Sequence, residues 1–548
     1  MSALRELLRR GDPAIWLAGT GLGISILMIG GMIGLILWNG LGFFWPRSLE
    51  EITLKDGTVL MGEVVATEAI PAPGTPEHLK HRRLQMKLGN RDVGGADFRW
   101  VTDAEIASRQ IPQDAIYVER REYGPFIGRL VKLTEGDREL AAGPGPVLAQ
   151  LPALVDKAVN DRDVIRELER DQIGAVNYRI EQLRLEQRAL DLRAAETPGV
   201  DQSAAKSAIE QQLTTLQTEY AELDQRLRKT REEAERVHVT LKASGGQEKE
   251  MPVIDVYRLF AANQLSVTGR AGIYASRLWE FLSGDPRESN TEGGIFPAIF
   301  GTVMMVLIMS VIAVPFGVLA ALYLREYAHQ GVLVRLVRIA VNNLAGVPSI
   351  VFGVFGLGFF VYLVGGTIDQ MFFPESLPTP TFGTGGILWA SLTLGMLTVP
   401  VVIVASEEAL SAVPRSMREA SLATGATKFQ TICRVVLPAA APGILTGLIL
   451  AMARGAGEVA PLMITGVVKL APDMPLDSVF PYLHLERKFM HLGFHIYDVG
   501  FQSPNVEAAK PVVYATAVLL LLIVVLLNLT AIIVRNRLRK KYRTSAFS

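Results

Sequence analysis

The chain has 548 residues, with 55 Lys and Arg against 55 Asp and Glu. A formal charge of zero argues against nucleic-acid binding, which needs a basic excess. Hydrophobic residues at 49% and charged residues at only 20% exclude a disordered chain and disfavour an ordinary soluble one. The zero also hides two unlike parts, because residues 39–296 carry 34 basic and 41 acidic side chains and the remainder only 21 and 14. One cysteine, Cys433, leaves no intramolecular disulfide to consider.

Six apolar stretches are long enough to cross a hydrocarbon core as helices, which takes about 20 residues. They cover residues 13–38, 293–324, 339–368, 376–406, 438–468 and 511–534. The first follows Arg5, Arg9 and Arg10 but is too long for a signal-peptide core, and its aromatic cluster Trp38, Phe43, Phe44 and Trp45 fits the interfacial belt of an uncleaved anchor. Lys and Arg concentrate in alternate connections, at Arg325, Arg335 and Arg338, at Arg415, Arg418, Lys428 and Arg434, and from Arg535 to Arg543. The positive-inside rule therefore predicts both termini in the cytoplasm and residues 39–292 outside.

Between the first two spans, residues 39–147 read as a β-rich domain. Alternating apolar and polar residues follow the Asp56-Gly57 turn signal, and the same period recurs at Leu84, Met86 and Leu88. Residues 148–243 change to a helical period, with Ile173, Val176, Ile180, Leu183 and Leu190 on one seam and Ile209, Leu213, Leu216, Tyr220, Leu223 and Leu227 on another, extended to Leu241. Joined at Pro198-Gly199, they predict an antiparallel coiled-coil hairpin reaching toward a partner. Residues 244–292 read as a flexible exit and an amphipathic pre-membrane region, and residues 293–548 as a core of five spans.

The connection between the fourth and fifth spans is predicted as a short helix over residues 415–424, stopped by Gly425, and a second one leading to Leu437-Pro438. A small, partly apolar face on the first helix suits a groove on a partner. Its pattern Glu419-Ala420-Ser421, Gly425, then Val435-Val436-Leu437-Pro438 resembles the EAA signature of ABC-importer permeases, with Ser at the third position and Val for the usual Ile. That resemblance assigns Glu419, Ala420, Ser421, Gly425, Leu437 and Pro438 to the loop that couples to a cytoplasmic ATPase.

Arg454 and Glu458 interrupt the fifth span four residues apart, a spacing that puts both on one helix face. Burying an arginine near mid-membrane costs about 2.5–3.5 kcal/mol on the insertion scale, so the pair is expected to face the bundle interior or a pore. A guanidinium fork matches the oxygens of a tetrahedral oxyanion. The carboxylate limits the positive charge and accepts a hydrogen bond from a protonated phosphate oxygen, which disfavours sulfate. A structural ion pair is the alternative reading.

The segments Gly293-Gly-Ile-Phe-Pro-Ala-Ile-Phe-Gly301, Asn342-Asn-Leu-Ala-Gly-Val-Pro-Ser-Ile350 and Arg454-Gly-Ala-Gly-Glu458, with the EAA-like loop, resemble the A-type membrane subunit of phosphate-specific (Pst) ABC importers. The resemblance covers the first span and the chain from about residue 279 onward. It implies an α-helical polytopic inner-membrane protein with a type I ABC-importer permease core, carrying inorganic phosphate. It further implies a homologous C-type second permease, a dimeric ATPase and a periplasmic phosphate-binding protein, with membrane lipid around the spans. The large α+β periplasmic insertion departs from the family. No G-x-x-x-x-G-K-[ST] loop is present, so no cofactor of its own is expected and ATP belongs to the partner. A permease for phosphonate, molybdate or another solute is the runner-up, and a membrane-bound nutrient sensor or scaffold is the reading from a different class. His484, His491 and His495 share one outside loop with Glu486 and Asp498 and are read as surface histidines rather than metal ligands.

Overall fold

The computed structural model describes residues 12–70, 81–196, 202–503 and 506–544. Arg5, Arg9, Arg10 and the Pro198-Gly199 turn lie outside them. Two compact units arise from one chain: one includes Trp45–Gly294 and Ile368–Thr381, and the other includes Ile295–Thr367, the chain before Trp45 and the chain from Phe382 onward. Helix α1, Asp12–Gly42, belongs to the latter.

The strand-rich unit starts with β1 (Leu49–Leu54), β2 (Val59–Ala69), β3 (Arg82–Lys87), β4 (Phe98–Thr102) and β5 (Ile106–Gln110), an antiparallel sheet in the order β4-β3-β2-β1-β5. The β1–β2 turn forms as its residues dictate, with Gly57 at φ +87° and the Asp56 carboxylate accepting from the Thr58 N–H at 2.8 Å. Ile52, Leu60, Leu84, Met86 and Val101 bury one face.

A second sheet takes β6 (Ile116–Arg120), β7 (Phe126–Glu135) and β8 (Arg138–Ala142) and is completed only after a long helical excursion by β9 (Val237–Lys242), β10 (Glu248–Pro252) and β11 (Val256–Phe260). The excursion is α2 (Pro144–Arg166), a wide π-type stretch Glu167–Ile173, α3 (Gly174–Glu196) and α4 (Ser203–Ala234). Val147, Leu151 and Val155 of α2 pack on the sheet, while Val176 and Ile180 meet Leu216 and Leu168 meets Leu227, so α3 and α4 run antiparallel. The seam does not reach Leu241 as expected. Val237 and Val239 are β-branched and alternate with polar residues, and the chain turns into β9, where Val239 faces Leu133 of β7. Residues 244–250 are correspondingly a tight turn at Gly246 (φ +85°) between paired strands rather than a flexible exit.

Helix α5, Val267–Ser283, follows, capped by Ser266 Oγ, and a small hairpin of β12 (Pro286–Arg287) and β13 (Glu292–Gly293) ends the unit. Ion pairs inside this unit are partly desolvated. Glu119 accepts from Arg258 at 2.6 Å and from Arg277 at 2.7 Å. Burial pushes its carboxyl up, but the two guanidinium groups outweigh that and hold it below the usual range. Burial drives the neighbouring Tyr117 hydroxyl up to about 12.

The other unit continues with α6 (Phe296–Leu322), α7 (Val332–Leu344) and α8 (Ser349–Phe355), which extends through a π-type stretch, Gly356–Gly365, into α9 (Gly366–Phe372). After α10 (Ile387–Ala412) come α11 (Arg415–Ala423), α12 (Lys428–Thr431), α13 (Leu437–Gly457), α14 (Ala460–Thr465), α15 (Leu492–Tyr497) and α16 (Val506–Thr544). Among the described residues six helices are long and apolar enough to cross a membrane: Trp16–Gly42, Phe296–Tyr327, Ser349–Phe372, Ile387–Ala412, Lys428–Gly457 and Val506–Lys540. Among them α10 is the most enclosed, packed on α6 and α13. Glycines permit the close approach: a Cβ at Gly317 would lie 2.6 Å from Val402, and one at Gly443 2.5 Å from Ala409.

Three boundaries differ from the sequence expectation. The stretch 339–368 is not one helix, because Pro348 disfavours helical backbone at Val347 and the chain breaks between Leu344 and Ser349. The fourth span starts at Ile387 rather than residue 376, since Pro378, Pro380, Gly383, Gly385 and Gly386 cannot sustain a helix. The fifth stops at Gly457.

Candidate functional site

Helix α13 carries Arg454 in its last turn and ends at Gly457, so Glu458 is already extended, at φ −78° and ψ 139°. The carboxylate nevertheless returns to the arginine, with Oε1 3.5 Å from Nε and the side chains 20% and 33% exposed. The expected pairing along one uninterrupted helix face is thus replaced by pairing across a helix end. Two glycines on either side of Ala456 have different tasks here. A Cβ on Gly455 would come within 2.6 Å of Met309 Sδ, whereas the space at Gly457 is open. Beyond the break α14 restarts with Pro461 in its first turn, where a missing N–H costs nothing.

The interrupted helix α8 lies against this point, since a Cβ on Gly353 would lie 2.7 Å from Pro461 Cα. The breaks at 345–348 and 458–459 thus flank a contact between two discontinuous helices, an arrangement used for ion and substrate sites inside membranes because it frees backbone polar groups there. The first break escaped the sequence reading, although Ala345-Gly346-Val347-Pro348 signals it.

His484, His491 and His495 are all buried, which overturns their reading as surface residues. His484 lies between Asp477 and Glu486, at 3.2 and 3.1 Å, and His495 Nδ1 is 3.3 Å from Thr516 Oγ1. His491 caps α15 by accepting the Gly493 N–H on Nδ1 at 3.1 Å, so its neutral form carries the proton on Nε2. Burial lowers its pKa to about 3. The segment around it is pinned to α6, where Leu492 N–H donates to Thr302 Oγ1 at 2.9 Å and Gly301 leaves no room for a side chain under Met490 O. His491 Cε1 and Val459 Cγ2 both flank Gly493, which places the imidazole beside the residue after Glu458. Among the described residues no group of three or more His, Cys, Asp or Glu side chains is placed to hold a metal.

The EAA-like loop is a helix, a turn and a helix. Gly425 adopts φ +86°, its N–H donates to Leu422 O at 3.0 Å and the Ala426 N–H to Ser421 O at 3.3 Å, the two bonds that close a helix with a left-handed residue. Thr427 and Gln430 form a capping box that starts α12. Arg418 fixes α11 from below by donating to Glu326 at 3.0 Å and to Val413 O and Leu410 O. Glu419, Ala420, Leu422, Gly425 and Phe429 stay exposed, and Ser421 Oγ is 2.9 Å from Thr431 Oγ1. Leu437 and Pro438 are separate from that face, half-buried at the start of α13, where Leu437 packs with Val436 and Leu410.

Residues 313–544 match the family model of the binding-protein-dependent transport system inner membrane component. The probable ABC transporter permease protein YqgI of Bacillus subtilis (strain 168) is 30% identical over 237 residues, covering 42% of this chain and 74% of that protein. The chain belongs to this family. The phosphate transport system permease protein PstA of Mycobacterium leprae is 36% identical over 203 residues, covering 36% of this chain and 61% of that protein. YqgH of Bacillus subtilis, a probable ABC transporter permease protein, is 32% identical with 60% of its length covered, so the chain spans about three-fifths of such relatives. A solved structure of the MetNI methionine ABC transporter is similar at 20% identity and a TM-score of 0.32, covering 44% of this chain and 94% of that one.

Proposed function

We propose that this chain is the permease subunit of an ATP-driven importer of inorganic phosphate. The observation that carries the reading is the Arg454–Glu458 pair held at the end of a membrane helix, next to open space at Gly457. The guanidinium supplies donors to phosphate oxygens, and the carboxylate keeps the site from trapping the anion and accepts from a protonated oxygen. Relatives described as phosphate transport system permeases support the substrate class. ATP hydrolysis comes from a separate cytoplasmic subunit docked on the exposed face of α11 around Glu419, Ala420 and Gly425. A homologous second permease completes the channel, and a periplasmic binding protein delivers phosphate to the side on which residues 39–292 lie, with both termini in the cytoplasm.

The test is uptake of labelled phosphate by membrane vesicles containing the assembled transporter, with unlabelled phosphate, phosphonate, molybdate and sulfate as competitors. Phosphate alone should compete at low excess. Competition by phosphonate or molybdate in preference to phosphate assigns another oxyanion, and no ATP-dependent uptake sinks the reading.

A further inference from the structure

Helix α5 has one face with no partner inside the described residues and a second face that is firmly held. Val267, Ala271, Ala275 and Trp279 recur every four residues on the open side, with Val267 75% and Trp279 70% exposed. Every exposed position of α5 is uncharged, the others being Thr268, Gly272, Ser276 and Ser283. The opposite face cannot rotate to cover them. Arg270 donates to Ser48 Oγ at 2.9 Å, Tyr274 lies on Trp45 with ring centroids 6.0 Å apart, Arg277 donates to Glu119, and Phe281 is buried.

Where the held face is attached decides what covers the open one. Trp45 and Ser48 come three and six residues after Gly42, the last residue of the first span. At the other end Gly284 N–H donates to Glu280 O, and Gly294 N–H to Asp285 O at 2.9 Å, two residues before Phe296 begins the second span. A chain covers at most about 3.5 Å per residue, so both ties lie within roughly 20 Å of a membrane-crossing helix, whatever path the connections take.

We propose that α5 is an interfacial helix that lies on the bilayer with its Val267, Ala271, Ala275 and Trp279 face at the boundary between lipid headgroups and acyl chains. An amphipathic helix tied to spans at both ends satisfies its apolar stripe there, and tryptophan favours that depth because its ring is apolar and its indole N–H finds a polar partner. The absence of charge on the open face fits neutral insertion rather than attraction to anionic headgroups.

The experiment uses the full chain in vesicles of phosphatidylethanolamine and phosphatidylglycerol. With Cys433→Ser as background, a nitroxide on Ala275→Cys is compared with one on Thr218→Cys of the exposed α4 for collision with oxygen and with a water-soluble nickel chelate. The oxygen-to-nickel ratio should be several-fold higher at 275. Equal ratios show a water-facing helix, and shielding from both reagents shows a protein occupant; either overturns the proposal. Independently, brominated lipid should quench the unlabelled chain more than Trp279→Phe, because one of its six tryptophans then leaves the lipid. Equal fractional quenching also overturns it.

Discussion

The guanidinium of Arg454 meets the carboxylate of Glu458 at 3.5 Å across the end of a helix, with Gly457 marking the boundary between them. Because the glutamate is outside the helix, its position depends on the break and not on helical pitch. Replacement of Arg454 by Gln should reduce phosphate uptake by at least about 100-fold, the scale of losing a charge-assisted pair of bonds. Membrane insertion and assembly should be retained, as co-purification of the partner subunits would show. Glu458→Gln should leave more uptake and make sulfate a stronger competitor.

Gly425 has a backbone that L side chains adopt only with strain of about 1–2 kcal/mol, although the space around it is open. Under the proposed coupling role, Gly425→Val should therefore weaken the contact with an ATPase subunit by roughly tenfold without unfolding the membrane unit. Co-purification at graded detergent and salt checks this, with a melting temperature lowered by no more than a few degrees showing that the unit stays folded.

Gly301 is constrained by space. A methyl group there would approach Met490 O to 2.1 Å, and the carbonyl belongs to the segment that Thr302 holds. Gly301→Ala should cost about 1–3 kcal/mol by forcing the segment away. Thermal melting in detergent should show it as a loss of several degrees, with Gly457→Ala as the unaffected control.

His491 makes stability depend on pH in a stated direction. Its folded pKa is about 3 against an ordinary value of 6.5, so the folded state resists a proton that the unfolded chain accepts. Stability contributed by the neutral ring is complete above about 6.5 and falls as pH drops from there toward 3. His491→Asn keeps a side-chain acceptor at the helix cap and removes the titration. Its melting temperature should fall less steeply than that of the unsubstituted chain across this window.

Much of this was legible in the sequence for a physical reason. Span count follows from hydropathy alone, and the Gly425 turn from a residue type that only one backbone conformation requires. The α7–α8 break was hidden because apolar content continues across Pro348, so hydropathy has no minimum where the helix stops. Strand β9 was hidden by a coincidence of periods, since Val237 and Leu241 satisfy a helical seam and an alternating strand equally well; pairing with β7, more than 100 residues earlier, decides between them. The burial of His491 depends on α6, far away in the chain, and no local signal could reveal it.

The attachments of α5 fix a length. From Tyr274, which rests on Trp45, to Gly284 at the second tie are ten residues, or about 15 Å of rigid helix. Residues 45 and 294, the first and last of the main stretch of the strand-rich unit, are thus kept apart by a spacer that neither stretches nor folds. Any movement that changes the distance between Trp45 and Gly294 must therefore undo one of the two ties, at Trp45 or at Gly284, because α5 between them can take up none of it.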